Sequence, residues 1–262
     1  MSPPVPIDAH AGIWRADALA RPIGTVLATG HATLDTQLPG GGWPVGALVE
    51  ILQAHSGQNE WRLLLPALVR SGTGPVVLVG APHMPFGPGL SAQGLAPERL
   101  LWVRAAEPAA RMWVGEQALR CKQVCAVLAW LPQARADQLR RLQMAAGEHG
   151  KLLFVMRPAR VQAESSPAVL RLLVRLQAQT DGIEVEILKR RGPPAAQPVQ
   201  MPARAARLAA LLARGHLSGR GQAGPAWPVE DGRLGGQPDG AALSIVAARM
   251  GGDVLARTAA AA

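Results

Sequence analysis

Tyrosine is absent from this 262-residue chain, phenylalanine and cysteine occur twice each, and aromatic residues make up 3% of it. Two cysteines, Cys121 and Cys125, are too few for a disulfide framework. They also lack partners for a zinc site, which leaves the reading of buried free thiols. No run approaches the roughly 18 apolar residues that a membrane span needs. The opening residues, MSPPVPIDAH, have neither the basic start nor the apolar core of a signal peptide. These absences point to a cytoplasmic protein with no membrane partner.

Acidic side chains are the scarcer sign, 18 against 27 basic, for a formal net charge of +9. Residues 1–199 carry 20 basic and 14 acidic side chains (+6), and residues 200–262 carry 7 and 4 (+3). No block of consecutive like charges stands out, so the excess reads as a basic surface. It favours an acidic partner, either nucleic acid or an acidic protein face. Hydrophobic content of 48% is ample for a core. The length holds one large domain, or one domain plus a tail.

The chain is organised around Thr29 to Leu68. Thr29-Gly30-His31 is a polar turn, followed by a short amphipathic segment through Leu34 and Leu38. Gly40-Gly41-Gly42 then leads to Trp43-Pro44, where regular structure is interrupted. Ala47 to Leu52 is a short apolar run that reads as a buried strand. A turn through His55-Ser56-Gly57 precedes a helix with Trp61, Leu64, Leu65 and Leu68 at helical spacing. Strand, glycine turn, helix is the setting of a phosphate-binding loop. Such a loop needs Gly-x-x-x-x-Gly-Lys-Ser/Thr, with a lysine for the phosphate and a hydroxyl for magnesium. Here Gln53 replaces the opening glycine, the loop through Ser56 is about one residue short, and Gly57 is followed by Gln58, Asn59 and Glu60. The cation and the hydroxyl are gone, and a carboxylate stands close to where phosphate would rest. The expectation is a nucleotide fold without nucleotide, metal or other cofactor.

Thr29-Gly30, Leu34-Asp35, the glycine run, Pro44-x-Gly46 and Val49-Glu50-Ile51 resemble the entry to the ATPase core of RecA. The GGGWP form of the glycine run, with Arg62-Leu63-Leu64-Leu65-Pro66-Ala67-Leu68 after the loop, more specifically resembles the ImuA family of RecA-like, translesion-synthesis-associated proteins. The resemblance runs from about residue 14 to residue 191. It implies an α/β fold of the RecA-like, P-loop NTPase type: a mostly parallel twisted sheet flanked by helices, with a degenerate nucleotide loop. Gly115-Glu116-Gln117-Ala118-Leu119 matches a run of RecA and supports the register.

Downstream, Pro75–Gly80 reads as a strand buried on both faces, ending in Ala81-Pro82-His83. Phe86 to Leu95 reads as loop. Leu100–Val103 and Val124–Trp130 read as strands, Pro108–Cys121 and Ala136–Gly147 as helices, and Lys151–Met156 as a further strand. Val169–Ala178 fits a strand or a helix by period, and the resemblance favours strand. Ile183–Lys189 alternates at period two and reads as an edge hairpin strand with one wet face. The domains expected are an N-terminal segment (1–14), a RecA-like core (15–192) and an Ala/Gly/Pro/Arg-rich extension (193–262), the last partly disordered with a short helix near 203–214.

The resemblance also locates the catalytic positions of a RecA-type ATPase. At them stand Gln58 and Asn59 for the lysine and hydroxyl, Pro82 for the water-activating glutamate, and Ala129 for the strand-end aspartate. Charge stabilisation is nearly the whole of phosphoryl transfer, so the chain is not expected to be an enzyme. Candidate DNA contacts are Arg157 and Arg160 in a shortened loop, Arg135, Arg140 and Arg141 in and before the preceding helix, and Lys189, Arg190 and Arg191. Each could equally be a solvated surface cation. Candidate partner contacts are Trp14, Trp43 and the helical triad Leu208, Leu211 and Leu212; Trp43 reads equally as a core plug. Membership of the ImuA family implies a non-enzymatic accessory protein of SOS-induced translesion synthesis and mutagenesis. Its partners would be an ImuB-like Y-family polymerase homologue, RecA, an error-prone C-family DNA polymerase and single-stranded DNA. Two alternatives stay open: a SulA-like inhibitor of cell division, and an ATP-dependent recombinase paralogue.

Overall fold

A computed structural model describes residues 24–177, 182–195 and 197–202, together with the backbone of Val246–Arg249. The N-terminal segment with Trp14, and the helix expected to carry Leu208, Leu211 and Leu212, lie outside the described residues.

The apolar runs form the centre of a nine-stranded sheet, where both faces of the strands are covered. Its strands are β3 (Ala47–Gln53), β4 (Val76–Val79), β5 (Leu100–Arg104), β6 (Ala126–Trp130), β7 (Leu152–Pro158), β8 (Leu170–Gln177), β9 (Gly182–Lys189), β10 (Val199–Pro202) and β11 (Val246–Arg249). The order across the sheet is β10-β9-β8-β3-β7-β6-β4-β5-β11. The six strands from β8 to β5 run parallel, β9 and β10 add antiparallel on one side, and β11 adds antiparallel to β5 on the other. A separate ribbon pairs β1 (Val26–Leu27) with β2 (Trp43–Pro44).

Alternate residues of each central strand enter two different cores. Val49, Ile51, Leu78, Leu128 and Phe154 pack against α2 (Glu60–Arg70), while Leu48, Val77, Val79, Val127 and Val155 pack under α4 (Pro108–Arg120) and α5 (Ala136–His149). Coverage on both faces is why no polar alternation shows in these strands. The α/β fold with a mostly parallel sheet flanked by helices is therefore as expected, and the ambiguous segment after residue 169 is a strand.

Several expectations are corrected. The segment after Phe86 is not all loop: α3 (Gly87–Ala92) forms there, begun by Pro88 and anchored by buried Leu90. β9 keeps its half-wet alternation but is not an edge, because Val199 and Met201 pair with Val185 and Ile183. The sheet thus takes strands from beyond residue 192. Cys121 and Cys125 are free, but Cys121 is exposed and Cys125 half-buried. Trp43 is fully buried, edge-on to Phe154 with ring centroids 5.4 Å apart. It is a core plug rather than an interface anchor.

The polar turn before α1 (Ala32–Asp35) docks on α2 through a proline. Pro66 lies inside α2 and has no N–H to return to Arg62. The Pro66 ring packs so closely on Gly30 that a Cβ there would stand 2.4 Å away. His31 Nε2 lies 3.2 Å from the carbonyl of Leu63, and the Thr29 N–H donates to Asp35 Oδ1 at 2.8 Å. Burial holds the His31 imidazole below its ordinary range, against the opposing pull of the Leu63 and Arg62 carbonyls. The unfolded chain, with a histidine near pKa 6.5, then binds more protons than the folded one below that pH. Stability contributed here is present above about pH 6.5 and declines as pH falls through the folded value. Urea midpoints should drop less between pH 7.5 and 5.5 for His31→Gln than for the natural chain; equal slopes would assign the titration elsewhere.

Candidate functional site

The turn between β3 and α2 is built around Glu60. Gln53 ends β3, residues 54–58 are exposed, and the chain turns inward at Asn59 so that Glu60 opens the helix with 1% of its surface exposed. Its carboxylate accepts from the Gly57 N–H at 2.7 Å, the Asn59 N–H at 3.1 Å and the Trp130 indole N–H at 2.8 Å, and from the Gln53 side-chain amide. No cation lies within ion-pair distance among the described residues. The charge is held by neutral donors and by the helix N-terminus. These are the kinds of donors that a phosphate loop directs at its ligand; here a side chain of the same loop takes them.

The β3–α2 turn and several of the positions matched by resemblance to catalytic ones lie close together. Gly57 has φ +92°, and a Cβ there would come within 2.6 Å of the His83 ring and 3.2 Å of Pro82. Ala129 is fully buried at the end of β6, and the next residue, Trp130, sends its indole to Glu60. Ser56 and Gln58 are exposed on the turn, and Gln53 Oε1 and Asn59 Oδ1 are buried without a hydrogen-bond partner. Among the described residues, no three His, Cys, Asp or Glu side chains gather as metal ligands would.

A second buried charge set lies beside this turn. Glu50, in the middle of β3, accepts from Arg157 Nη1 at 2.8 Å and from Arg171 Nε at 2.6 Å. Arg157 also donates to the Ala134 carbonyl and to Glu164, each through Nη2 at 2.8 and 2.9 Å. Arg171 reaches the carbonyls of Val161, Gln162 and Glu164. Two guanidiniums on the strands either side of β3 thus clamp the segment after β7 onto the sheet.

This corrects the expected position of Arg157. It is 3% exposed, so its guanidinium does not face solvent or a phosphate backbone. Of the other basic candidates, Arg140, Arg160 and Arg191 are exposed without an ion-pair partner among the described residues. Arg135 lies 3.4 Å from Asp137, and Arg141 2.6 Å from Glu116. Lys189 donates to the Ser166 carbonyl, and Arg190 is occupied by the carbonyls of Gln37, Pro193 and Pro194. Arg135 and Arg160 follow strand C-termini, whereas Lys189 to Arg191 lie at the opposite end, where β9 meets the start of β8. The two groups do not form one face. Reading by sequence missed Arg171 and Glu164; the signal was an arginine inside the apolar run Leu170-Arg171-Leu172-Leu173, to be matched with the glutamate inside Val49-Glu50-Ile51.

No family model matches the chain. Over 159 residues, 55% of its length, it is 33% identical to Protein ImuA of Caulobacter vibrioides (strain NA1000 / CB15N), and to Protein ImuA of strain ATCC 19089 of the same species by the same measures. The chain spans 63% of the length of these relatives. Over 118 residues, 44% of its length, it is 33% identical to the Cell division inhibitor SulA of Edwardsiella piscicida, 70% of which it covers.

The Glu60 carboxylate predicts its own test. Glu60→Ala leaves the N–H of Gly57 and the buried N–H groups of Asn59 and Trp130 without this acceptor, and should lower stability by roughly 2–4 kcal/mol in urea unfolding. Glu60→Gln keeps one acceptor oxygen and should recover part of that loss. An unchanged midpoint for Glu60→Ala would mean that the turn does not depend on the carboxylate.

Proposed function

We propose a role from one premise: the chain belongs to the ImuA/SulA-like family. It acts as a non-catalytic accessory protein of SOS-associated mutagenesis. A RecA-like body without RecA's motor links an ImuB-like polymerase homologue, and through it an error-prone polymerase, to damaged DNA or to RecA. The observation that carries this reading is the Glu60 carboxylate, which sits on the donors of the turn where a nucleotide phosphate would have to sit. Gln58, Asn59, Pro82 and Ala129 offer no cation, magnesium ligand or general base in its place. The strand order, with β3 between β8 and β7 and two antiparallel strands closing one side, is what supports the RecA-like assignment. Direct contact with single-stranded DNA would fall to Arg135, Arg140, Arg141 and Arg160, as sequence-blind phosphate binding. Among the described residues no helix is long and apolar enough to cross a membrane.

The similarity to a cell division inhibitor supports a second reading, in which the chain arrests septation after damage. One experiment separates the two. The tagged chain is recovered from its host after treatment with a DNA-damaging agent and then with nuclease. Recovery of the ImuB-like homologue or RecA is expected. Recovery of DNA alone before nuclease, and of nothing after it, contradicts the adaptor role, and filamentation on overexpression supports the inhibitor.

A further inference from the structure

The loop that leaves β4 carries two large apolar side chains into solvent: Met84 is 64% exposed and Phe86 73%. Met84 borders an open groove of about 520 Å³ at the C-terminal ends of β4 and β5, lined also by Pro82, Trp102, Arg104 and Arg111. Among the described residues, no Asp or Glu lines it. The Arg104 guanidinium carbon stands 5.4 Å from the centre of the Trp102 ring. Arg111 lies across Gly80, where a Cβ would come within 2.8 Å of its Nε. Its Nε donates to the Ala105 carbonyl at 2.7 Å and its Nη1 to the Trp130 carbonyl at 3.4 Å. Carbonyls orient a guanidinium without neutralising it, and neither arginine has a carboxylate within ion-pair distance among the described residues. The groove therefore pairs exposed apolar surface with uncompensated positive charge between low-dielectric walls.

We propose that this groove docks an acidic segment of a partner protein that carries an apolar anchor. The anchor covers Met84 and Phe86, and flanking carboxylates meet Arg104 and Arg111. Nucleic acid fits less well. A phosphate backbone calls for a track of several cations, and the described residues of the groove offer two, one of them half-buried and already oriented by carbonyls. Met, Trp and Arg together, with no Lys or Glu among the described lining residues and with Phe86 exposed on the same loop as Met84, is the kind of composition enriched in the cores of protein interfaces. The inference rests on the adaptor reading for the existence of a partner, and adds where that partner docks.

Its test places a photoreactive benzoylphenylalanine at position 86 of the full chain in damaged host cells. Leu176 on β8, 52% exposed and four strands away, serves as the control position. Crosslinked peptides are then sequenced by mass spectrometry. The expected product joins position 86, and not position 176, to a protein segment in which Asp or Glu flanks apolar side chains. Arg104→Glu, at an exposed position, should cut its yield about tenfold. A crosslink to nucleic acid, one indifferent to Arg104→Glu, or no crosslink although a partner co-purifies, overturns the docking site and leaves the adaptor reading standing. A chain that co-purifies nothing removes both.

Discussion

Gln53, Gly57, Asn59 and Trp130 come from the end of one strand, the turn after it and the tip of another strand, and all four donate to the carboxylate of Glu60. A charge this deeply buried is tolerated only when donors converge on it, because an unsolvated carboxylate would otherwise be prohibitively costly. The convergence has structural consequences. It fixes where α2 begins, closes the turn over the end of β3, and ties β6 to that turn across 70 residues of sequence. The proposed loss of the motor follows from the same contact. A phosphate loop keeps its N–H groups empty for an external anion, and a RecA-type hydrolase ends another strand of the same sheet with an acceptor for the magnesium shell. Here the anion is internal, and the strand ends in a donor.

The second buried charge set shows how the same strand shapes the surface. Glu50 lies opposite Arg171 in the β3–β8 register, and Arg157 stands opposite Leu52 on the other side of β3. The carboxylate therefore draws both guanidiniums inward; Arg171 in turn holds the segment from Val161 to Glu164 by its carbonyls, and Arg157 holds it by the Glu164 carboxylate. Removing one member of such a set strands the other charges, typically at a cost of about 3–5 kcal/mol. The arginines left outside are consequently fewer and more dispersed than their number in the sequence suggests. Those at strand C-termini and those near Arg191 occupy opposite ends of the sheet.

Much of the architecture was legible because it depends on continuous apolar runs broken by glycine and proline. β3, β4, β6 and β7, and the helices packed on them, fall where those runs and the helical periods lie. The turn was legible as a strand, glycine turn and helix without a lysine or hydroxyl after Gly57, because its chemistry is local. What escaped reading depends on partners far away in sequence. Ala129 registers as a missing aspartate, and only the fold reveals that the indole of the next residue, Trp130, answers Glu60. Arg157 looks like a surface cation until Glu50 and Arg171 are brought beside it. Trp43 stands in a glycine-rich corner that suggests exposure, yet Phe154, 111 residues later, covers it. β10 was hidden in a Pro-rich stretch because two alternating apolar residues, Val199 and Met201, suffice to add a strand to a sheet already formed.

If the internal carboxylate takes the place of a nucleotide phosphate, the chain should not bind Mg-ATP. Titrating Mg-ATP into the full chain by calorimetry, at concentrations up to the millimolar range, addresses it most directly. The account predicts no saturable heat. Stoichiometric binding in the micromolar range would contradict it, since phosphate would then have displaced Glu60 or found a different seat.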